Sequence, residues 1–281
     1  MTTQDPSAGS QPPRPRTDAF LRGLARLVLS VFFRDVVVIG ADRFPADGPV
    51  IVVSNHLNSL IDGVALTAAL PRMPRMLAAS IIWDNAPLRP LLAAAGVIPL
   101  YRLQDVGAGN TRHRDTFEQT WELLAGGGVL SLFPEGASHN EPHLLPMKSG
   151  AARIALETGK QRGPLDIRIV PVGLFYEAKT VFRSRALVEI GDPLDIGPDL
   201  DRYRNGDAAA RQQSVRQLTA RVDAALASVT LNFDTWNDAR LVGRAADLWV
   251  RQDNPAAGEL HLGDSYEMRR AFARGYAWIK I

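Results

Sequence analysis

His56 stands just past the apolar run Val50-Ile51-Val52-Val53, after Ser54-Asn55, and Asp62 follows six positions later where a helical pattern begins. A histidine at the end of a buried strand, with an aspartate one turn away, has the makings of a general base. The aspartate fixes the imidazole tautomer, and the free ring nitrogen takes a proton from a hydroxyl. The same residues allow a plainer reading. Ser59-x-x-Asp62 has the form of a helix capping box, which would give Asp62 a structural duty.

Three further polar clusters follow at comparable positions. The second is Gly96-Val97-Ile98-Pro99-Leu100-Tyr101-Arg102 with Gln104-Asp105. The third is Phe133-Pro134-Glu135-Gly136-Ala137-Ser138-His139, leading to Leu145-Pro146-Met147-Lys148. The fourth is Val170-Pro171-Val172-Gly173. Arg102 offers a planar fork to a phosphate and Lys148 a point charge, so a basic pair near His56 and Asp62 points to an anionic substrate whose hydroxyl is to be deprotonated. Glu135, between Pro134 and Gly136, is placed to accept hydrogen bonds from substrate hydroxyls. Asn55 and Ser138 stand beside these groups as supporting polar side chains. Singly, each cluster is an ordinary surface arginine, a solvated lysine or a Pro-Glu-Gly turn; it is their joint spacing that carries the reading. His139-Asn140-Glu141-Pro142-His143 has metal-ligand types, but Pro142 prevents the helical spacing that would align the two histidines, and no metal is expected. Gly107-Ala108-Gly109 lacks the third glycine and the preceding strand of a dinucleotide fingerprint.

The elements that must position these groups alternate. Val36–Ile39, Val50–Ser54, Met76–Ser80, Gly96–Leu100, Val129–Phe133, Ile167–Phe175 and Ala186–Ile190 read as strands. Asp62–Leu70, Pro87–Ala95, Arg112–Ala125 and Lys148–Thr158 read as helices. Such alternation implies an α/β fold with a mostly parallel or mixed central sheet flanked by helices, and ligands bind such sheets at the carboxyl ends of the strands. Beyond Asp201 the spacing of Val215, Leu218, Val222, Leu226 and Val229 is helical, so residues 201–281 form a helical extension to an α/β domain at 36–200. Trp236, Trp249 and Trp278 there read as packing residues. The chain ends at Trp278-Ile279-Lys280-Ile281 with no helix stop, as a trimmed form would.

Residues 1–17, rich in Pro, Ser, Gln and Arg, lack the apolar content to pack and read as a disordered tail without the order of a secretory signal. Residues 18–35 form an amphipathic helix too short in its apolar part to span a bilayer, which takes about 20 apolar residues. Arg22 and Arg26 lie one turn apart, with Arg34 beyond. The helix either lies in a membrane interface with its arginines toward anionic headgroups or docks on its own domain. The formal charge of +2 is too small to argue for nucleic acid, and the lack of cysteine excludes disulfides and thiolate chemistry.

The four clusters, in this order over roughly residues 36–195, resemble the glycerolipid O-acyltransferase family, which includes the bacterial lysophosphatidate acyltransferases and the glycerol-3-phosphate acyltransferases. The resemblance implies that His56 and Asp62 are catalytic, that Glu135 and Gly136 bind the acceptor, that Arg102 binds its phosphate, and that Pro171 helps shape the site. It also implies an acyl-CoA or acyl-carrier-protein thioester as co-substrate, with no cofactor, and a protein peripheral to the cytoplasmic face of the cell membrane. Two departures from the common pattern bear on the acceptor. Five residues, not four, separate His56 from Asp62, and Ala137-Ser138-His139 stands where the family commonly has Thr-Arg-Ser. With Leu144-Leu145-Pro146-Met147-Lys148-Ser149-Gly150, these features resemble the branch of the fungal glycerol-3-phosphate and dihydroxyacetone-phosphate acyltransferases. With no arginine at 137–139, Lys148 is expected to supply part of the phosphate site.

The resulting expectation is acyl transfer to a hydroxyl of 1-acylglycerol-3-phosphate in phospholipid biosynthesis. Glycerol 3-phosphate or dihydroxyacetone phosphate is the alternative acceptor. A thioester or lipid hydrolase using the same base on water, or a non-enzymatic lipid-binding protein, are the rival classes. No Gly-x-Ser-x-Gly elbow or cysteine offers an acyl-enzyme nucleophile, so the expected chemistry is direct attack by the acceptor oxygen on the thioester.

Overall fold

A computed structural model of the chain describes residues 15–101, 112–163, 165–253 and 261–279. Most of the tail read as disordered, Arg102 with Gln104-Asp105, and Gly107-Ala108-Gly109 lie outside the described residues. The strands are β1 (Phe33–Ile39), β2 (Val50–Ser54), β3 (Pro74–Ala79), β4 (Ile98–Leu100), β5 (Val129–Leu132), β6 (Arg168–Tyr176), β7 (Ser184–Ile190) and β8 (Leu194–Asp195). The helices are α1 (Pro15–Phe32), α2 (Leu60–Ala69), α3 (Arg89–Ala94), α4 (Arg112–Ala125), α5 (Gly150–Arg162), α6 (Gly197–Asn205), α7 (Ala208–Ser228), α8 (Trp236–Asp253) and α9 (Leu262–Ile279).

The strands form one sheet in the order β1-β7-β6-β2-β5-β3-β4, with β8 pairing to β6. Neighbours from β6 through β2, β5 and β3 to β4 are parallel, whereas β7 runs antiparallel to β6 and parallel to β1. The fold is therefore α/β with a mixed, mostly parallel sheet flanked by helices. β2 shows why a wholly apolar strand is needed at the centre. Val50 and Val52 face the layer holding α1 and α2, while Ile51 and Val53 face the layer holding α5 and α7. A strand covered on both faces cannot alternate with polar residues.

Two local features set the site's frame. Pro171 lies in β6 where the outer partner changes from β8, paired at Arg168 and Ile169, to β7, paired from Val172 onward. Its carbonyl accepts from Gly191 N–H at 2.9 Å on that side, so the missing proline N–H falls in the gap between partners and breaks no ladder bond. Gly173 lets β6 approach the end of α7. A Cβ there would sit 2.8 Å from the Val229 carbonyl carbon.

The helical extension appears as α7, α8 and α9, and it reaches back toward the loop after β5. Trp236 donates its indole N–H to Asn140 O at 2.9 Å, and Leu144 N–H donates to Asn232 Oδ1 at 2.9 Å. Tyr266 of α9, fully buried, donates to Val229 O at 3.0 Å.

The N-terminal helix differs from one sequence expectation. Arg22 donates to Pro71 O at 2.8 Å and to Leu70 O at 2.5 Å, and Arg26 lies 3.4 Å from Ala68 O. These carbonyls belong to the last turn of α2 and the residues after it, a pole rich in orphan acceptors where a guanidinium is favoured. The arginines are thus turned toward the domain rather than outward to headgroups. The outward residues are Phe20, 69% exposed, with Leu24, Leu27 and Val31. Among the described residues no helix is long and apolar enough to cross a membrane.

Candidate active site

The site collects at the carboxyl ends of β2, β5 and β6, the middle of the parallel run. β2 is extended past its last residue by a side chain. Asn55 donates from Nδ2 to Leu174 O at 2.9 Å and accepts Leu174 N–H on Oδ1 at 2.7 Å, copying a strand's own pair of bonds to β6. The buried amide ends the strand at a fixed point, and the chain turns there to present His56.

His56 Nδ1 lies 2.8 Å from Asp62 Oδ2. The same oxygen accepts Asn58 N–H at 2.7 Å, and Asp62 Oδ1 accepts the Tyr176 hydroxyl at 2.7 Å. Asp62 is fully buried at 0% exposure with three donors on its carboxylate, so its charge is compensated by hydrogen bonds. With the proton on Nδ1, the acceptor nitrogen of His56 is Nε2. The ring is stacked on Phe133, with centroids 4.0 Å apart and planes 9° apart, and 19% of the side chain remains exposed. The capping-box reading fails on geometry. Ser59 at the N-cap has φ 45°, makes no side-chain cap bond, and leaves Asp62 to serve His56.

Glu135 is placed differently from a residue that waits for substrate. Its side chain is wholly buried. Oε1 accepts His56 N–H at 2.8 Å, and Oε2 accepts Leu145 N–H at 2.7 Å and is paired with His139 Nε2. His139 Nδ1 accepts Glu141 N–H at 3.1 Å, so the neutral ring carries its proton on Nε2 and donates it to Glu135. His139 N–H also donates to His56 O at 3.1 Å. The peptide of His56 is therefore gripped from both sides by the loop after β5. Among the described residues no group of three or more His, Asp or Glu side chains could hold a metal ion.

Gly136 and Lys148 meet in the loop after β5. Lys148 N–H donates to Pro134 O at 2.9 Å, and its side chain lies across Gly136. Gly136 has φ +77°, a left-handed turn that favours glycine, and a Cβ there would approach Lys148 Cε to 2.9 Å, so a larger residue would also displace the lysine. Ser138 Oγ accepts Ser59 N–H at 3.2 Å and ties the two loops together. Arg102 lies outside the described residues, so its convergence with Lys148 is not part of this geometry.

Two residues escaped the sequence reading. Tyr176 lies three positions beyond the fourth cluster and 114 from Asp62 in sequence, and only the β2–β6 pairing brings them together. Lys179 donates to Leu57 O at 2.7 Å and to His139 O at 3.3 Å, pinning the loop that carries His56. Nothing in the sequence near either residue marks it.

A model of the acyltransferase family matches residues 35–174. Glycerol-3-phosphate O-acyltransferase 1 of Saccharomyces cerevisiae is 32% identical over 165 residues, which are 58% of this chain and 21% of that protein. A chloroplastic 1-acyl-sn-glycerol-3-phosphate acyltransferase of Brassica napus is 28% identical over 139 residues, covering 48% of this chain and 38% of that one. The chain thus matches about a fifth of the length of the yeast relative. The crystal structure of the 1-acyl-sn-glycerophosphate acyltransferase PlsC of Thermotoga maritima shares the fold, with a TM-score of 0.52 at 19% identity over 75% of this chain and 83% of that one. The family match begins in β1 and ends in β6, so it takes in the strands and loops that hold His56, Asp62, Glu135 and Lys148, and the chain belongs to the acyltransferase family.

Proposed function

We propose that this chain moves a fatty acyl group from an acyl thioester, on CoA or an acyl carrier protein, to a hydroxyl of a phosphate-bearing glycerol. The observation that carries the reading is the buried Asp62 carboxylate holding His56 Nδ1, which directs the basic Nε2 away from its support. Nε2 takes the proton of the acceptor hydroxyl as its oxygen attacks the thioester carbonyl carbon. The C–S bond then breaks, and the leaving thiolate takes the proton back from the imidazolium. The enzyme ends as it began. Lys148, lying over Gly136, is placed to hold the acceptor phosphate in the role that an arginine after Phe-Pro-Glu-Gly has elsewhere in the family. Glu135 serves by positioning His56 rather than by touching the acceptor.

Glycerol 3-phosphate is the first acceptor to test, because the name of the yeast relative at 32% identity specifies it. Lysophosphatidate is the second, specified by the name of the plant relative at 28%. An acyl-transfer assay with each acceptor, and with none, decides between them. Thioester cleavage that is indifferent to acceptor would mean a hydrolase instead. Lys148→Ala should raise acceptor KM roughly ten- to a hundredfold, the value of one charge-assisted hydrogen bond, with little change for the thioester. A rise in thioester KM alone would assign Lys148 to the donor's phosphates.

Attachment at the cytoplasmic face of the membrane belongs to the same reading. Its support is the outward stripe of Phe20, Leu24, Leu27 and Val31, continued at the end of α1 by Phe32, whose ring meets that of Phe182 with centroids 6.4 Å apart. Leu27 and Phe182 are 60% and 66% exposed. Because Arg22 and Arg26 are turned toward α2, attachment should depend more on apolar insertion than on charge. Phe20→Glu with Leu27→Glu should cut partition onto vesicles at least about tenfold. High salt should weaken it much less. Release by salt with retention of the double variant would restore the arginines as the anchor.

A further inference from the structure

We infer that Tyr176 is a positioning residue of the acid–base pair: by donating to Asp62 Oδ1 it stabilises the form in which the carboxylate is charged and the imidazole neutral, and so keeps His56 ready to accept a proton. The inference rests on the reading of His56 as the base. Its ground is geometric. The phenol oxygen lies 2.7 Å from Asp62 Oδ1, while Oδ2 is taken by His56 Nδ1 at 2.8 Å and Asn58 N–H at 2.7 Å. The carboxylate therefore has one oxygen for the base and its loop, and one for Tyr176.

The phenol is fixed in its turn. Its ring is stacked on Phe33, with centroids 5.5 Å and planes 22° apart, and Phe33 is buried beneath α1. Burial and the adjacent Asp62 hold the Tyr176 hydroxyl well above the usual phenol range, so it is a permanent donor at any working pH. It has no proton to exchange with the reaction and acts only through Asp62.

The sign of the effect follows from the charge of the pair. Before the proton transfer the pair is an imidazole and a carboxylate, with net charge −1. Afterwards it is an imidazolium and a carboxylate, with net charge zero. In a buried site a donor on the carboxylate favours the charged form most, so Tyr176 lowers the proton affinity of the pair as a whole. Removing the hydroxyl leaves a buried oxygen without its donor, and the pair then holds a proton more tightly. The other charged or titratable groups near His56 do not change with this substitution. They are Glu135 at its N–H, His139 behind Glu135, Lys179 on Leu57 O, and Lys148 over Gly136.

The test is the titration of His56 followed by NMR in protein labelled at the histidine rings. The chain has five histidines, and the resonance lost in His56→Ala identifies the one that matters. Tyr176→Phe should raise the His56 midpoint by about 0.5–1 pH unit, a three- to tenfold rise in proton affinity, the usual scale of one hydrogen bond. The acidic limb of kcat/KM for acyl transfer should move up by the same amount. Replacing Tyr176 by a fluorinated tyrosine, a stronger donor, should move both down. A midpoint that stays put or moves the opposite way in either variant overturns the inference. If Tyr176→Phe fails to fold, the fluorinated protein decides alone. If wild-type protein transfers no acyl group to any acceptor, the proposed activity falls while the NMR titration still judges the role of Tyr176.

Discussion

His56→Ala should lower acyl transfer by about a thousandfold or more, with the acceptor KM nearly unchanged. A positioned general base contributes roughly 10²–10⁴ in rate, and alanine removes both the proton acceptor and the surface that Phe133 stacks against. Asp62→Asn should be milder and more informative. Asp62 Oδ2 receives two donors, His56 Nδ1–H and Asn58 N–H, so an asparagine oxygen is favoured there. Its amide nitrogen then faces Tyr176, whose hydroxyl can turn and accept. The correct His56 tautomer survives, but the charge that stabilises the imidazolium is gone. Turnover should fall about a hundredfold, and the acidic limb of the pH profile should move to lower pH, because a neutral partner makes His56 a weaker base. Steady-state kinetics across pH measure both effects. Near wild-type turnover in His56→Ala would remove His56 from the chemistry.

Glu135→Ala should destabilise the fold by about 3 kcal/mol or more, a large share of the roughly 5–15 kcal/mol that holds a domain together. The side chain is fully buried, and its loss strands three donors: His56 N–H, Leu145 N–H and the His139 ring. Glu135→Gln should rescue little. The carboxylate accepts on both oxygens, whereas an amide must turn its NH₂ toward donors on one side or the other. Urea unfolding should place Gln close to Ala. Activity at a temperature where the variants remain folded should still be low, because the backbone of His56 has lost the group that fixes it. A glutamine variant with wild-type stability and turnover would mean that the bond from His56 N–H to Oε1, the one an amide NH₂ most readily gives up, does not matter, and would return Glu135 to the role of a substrate ligand.

The legibility of this chain divides along a physical line. Whatever depends on neighbours in sequence could be read directly. The apolar run Val50–Val53 could only be a doubly covered strand, and β2 has the bounds its residues predict. Arg112–Ala125, closed by Gly126-Gly127-Gly128, formed the predicted helix, because periodicity and a glycine stop act within a few residues. The arrangement of strand, histidine, helix and aspartate was also legible, since His56 and Asp62 share one turn of chain and can meet without help from the fold.

What the sequence by itself could not determine was which of two local bonding patterns wins, and which distant residues complete the site. Asp62 fits a capping box as well as a base's partner. The folded chain decided for the partner: Ser59, at φ 45°, makes no side-chain cap bond, and the pairing of β2 with β6 then adds the Tyr176 hydroxyl on the other carboxylate oxygen. Glu135 read as a ligand for substrate hydroxyls because nothing nearby in sequence shows that His56 N–H, Leu145 N–H and His139 converge on it. Arg22 and Arg26 read as candidates for lipid headgroups because the last turn of α2, more than forty residues away, is invisible from α1. Hydrophobic periodicity is written along the chain. The satisfaction of a buried carboxylate or of a helix's last carbonyls depends on where the rest of the chain ends up, and only the packed structure supplies those partners.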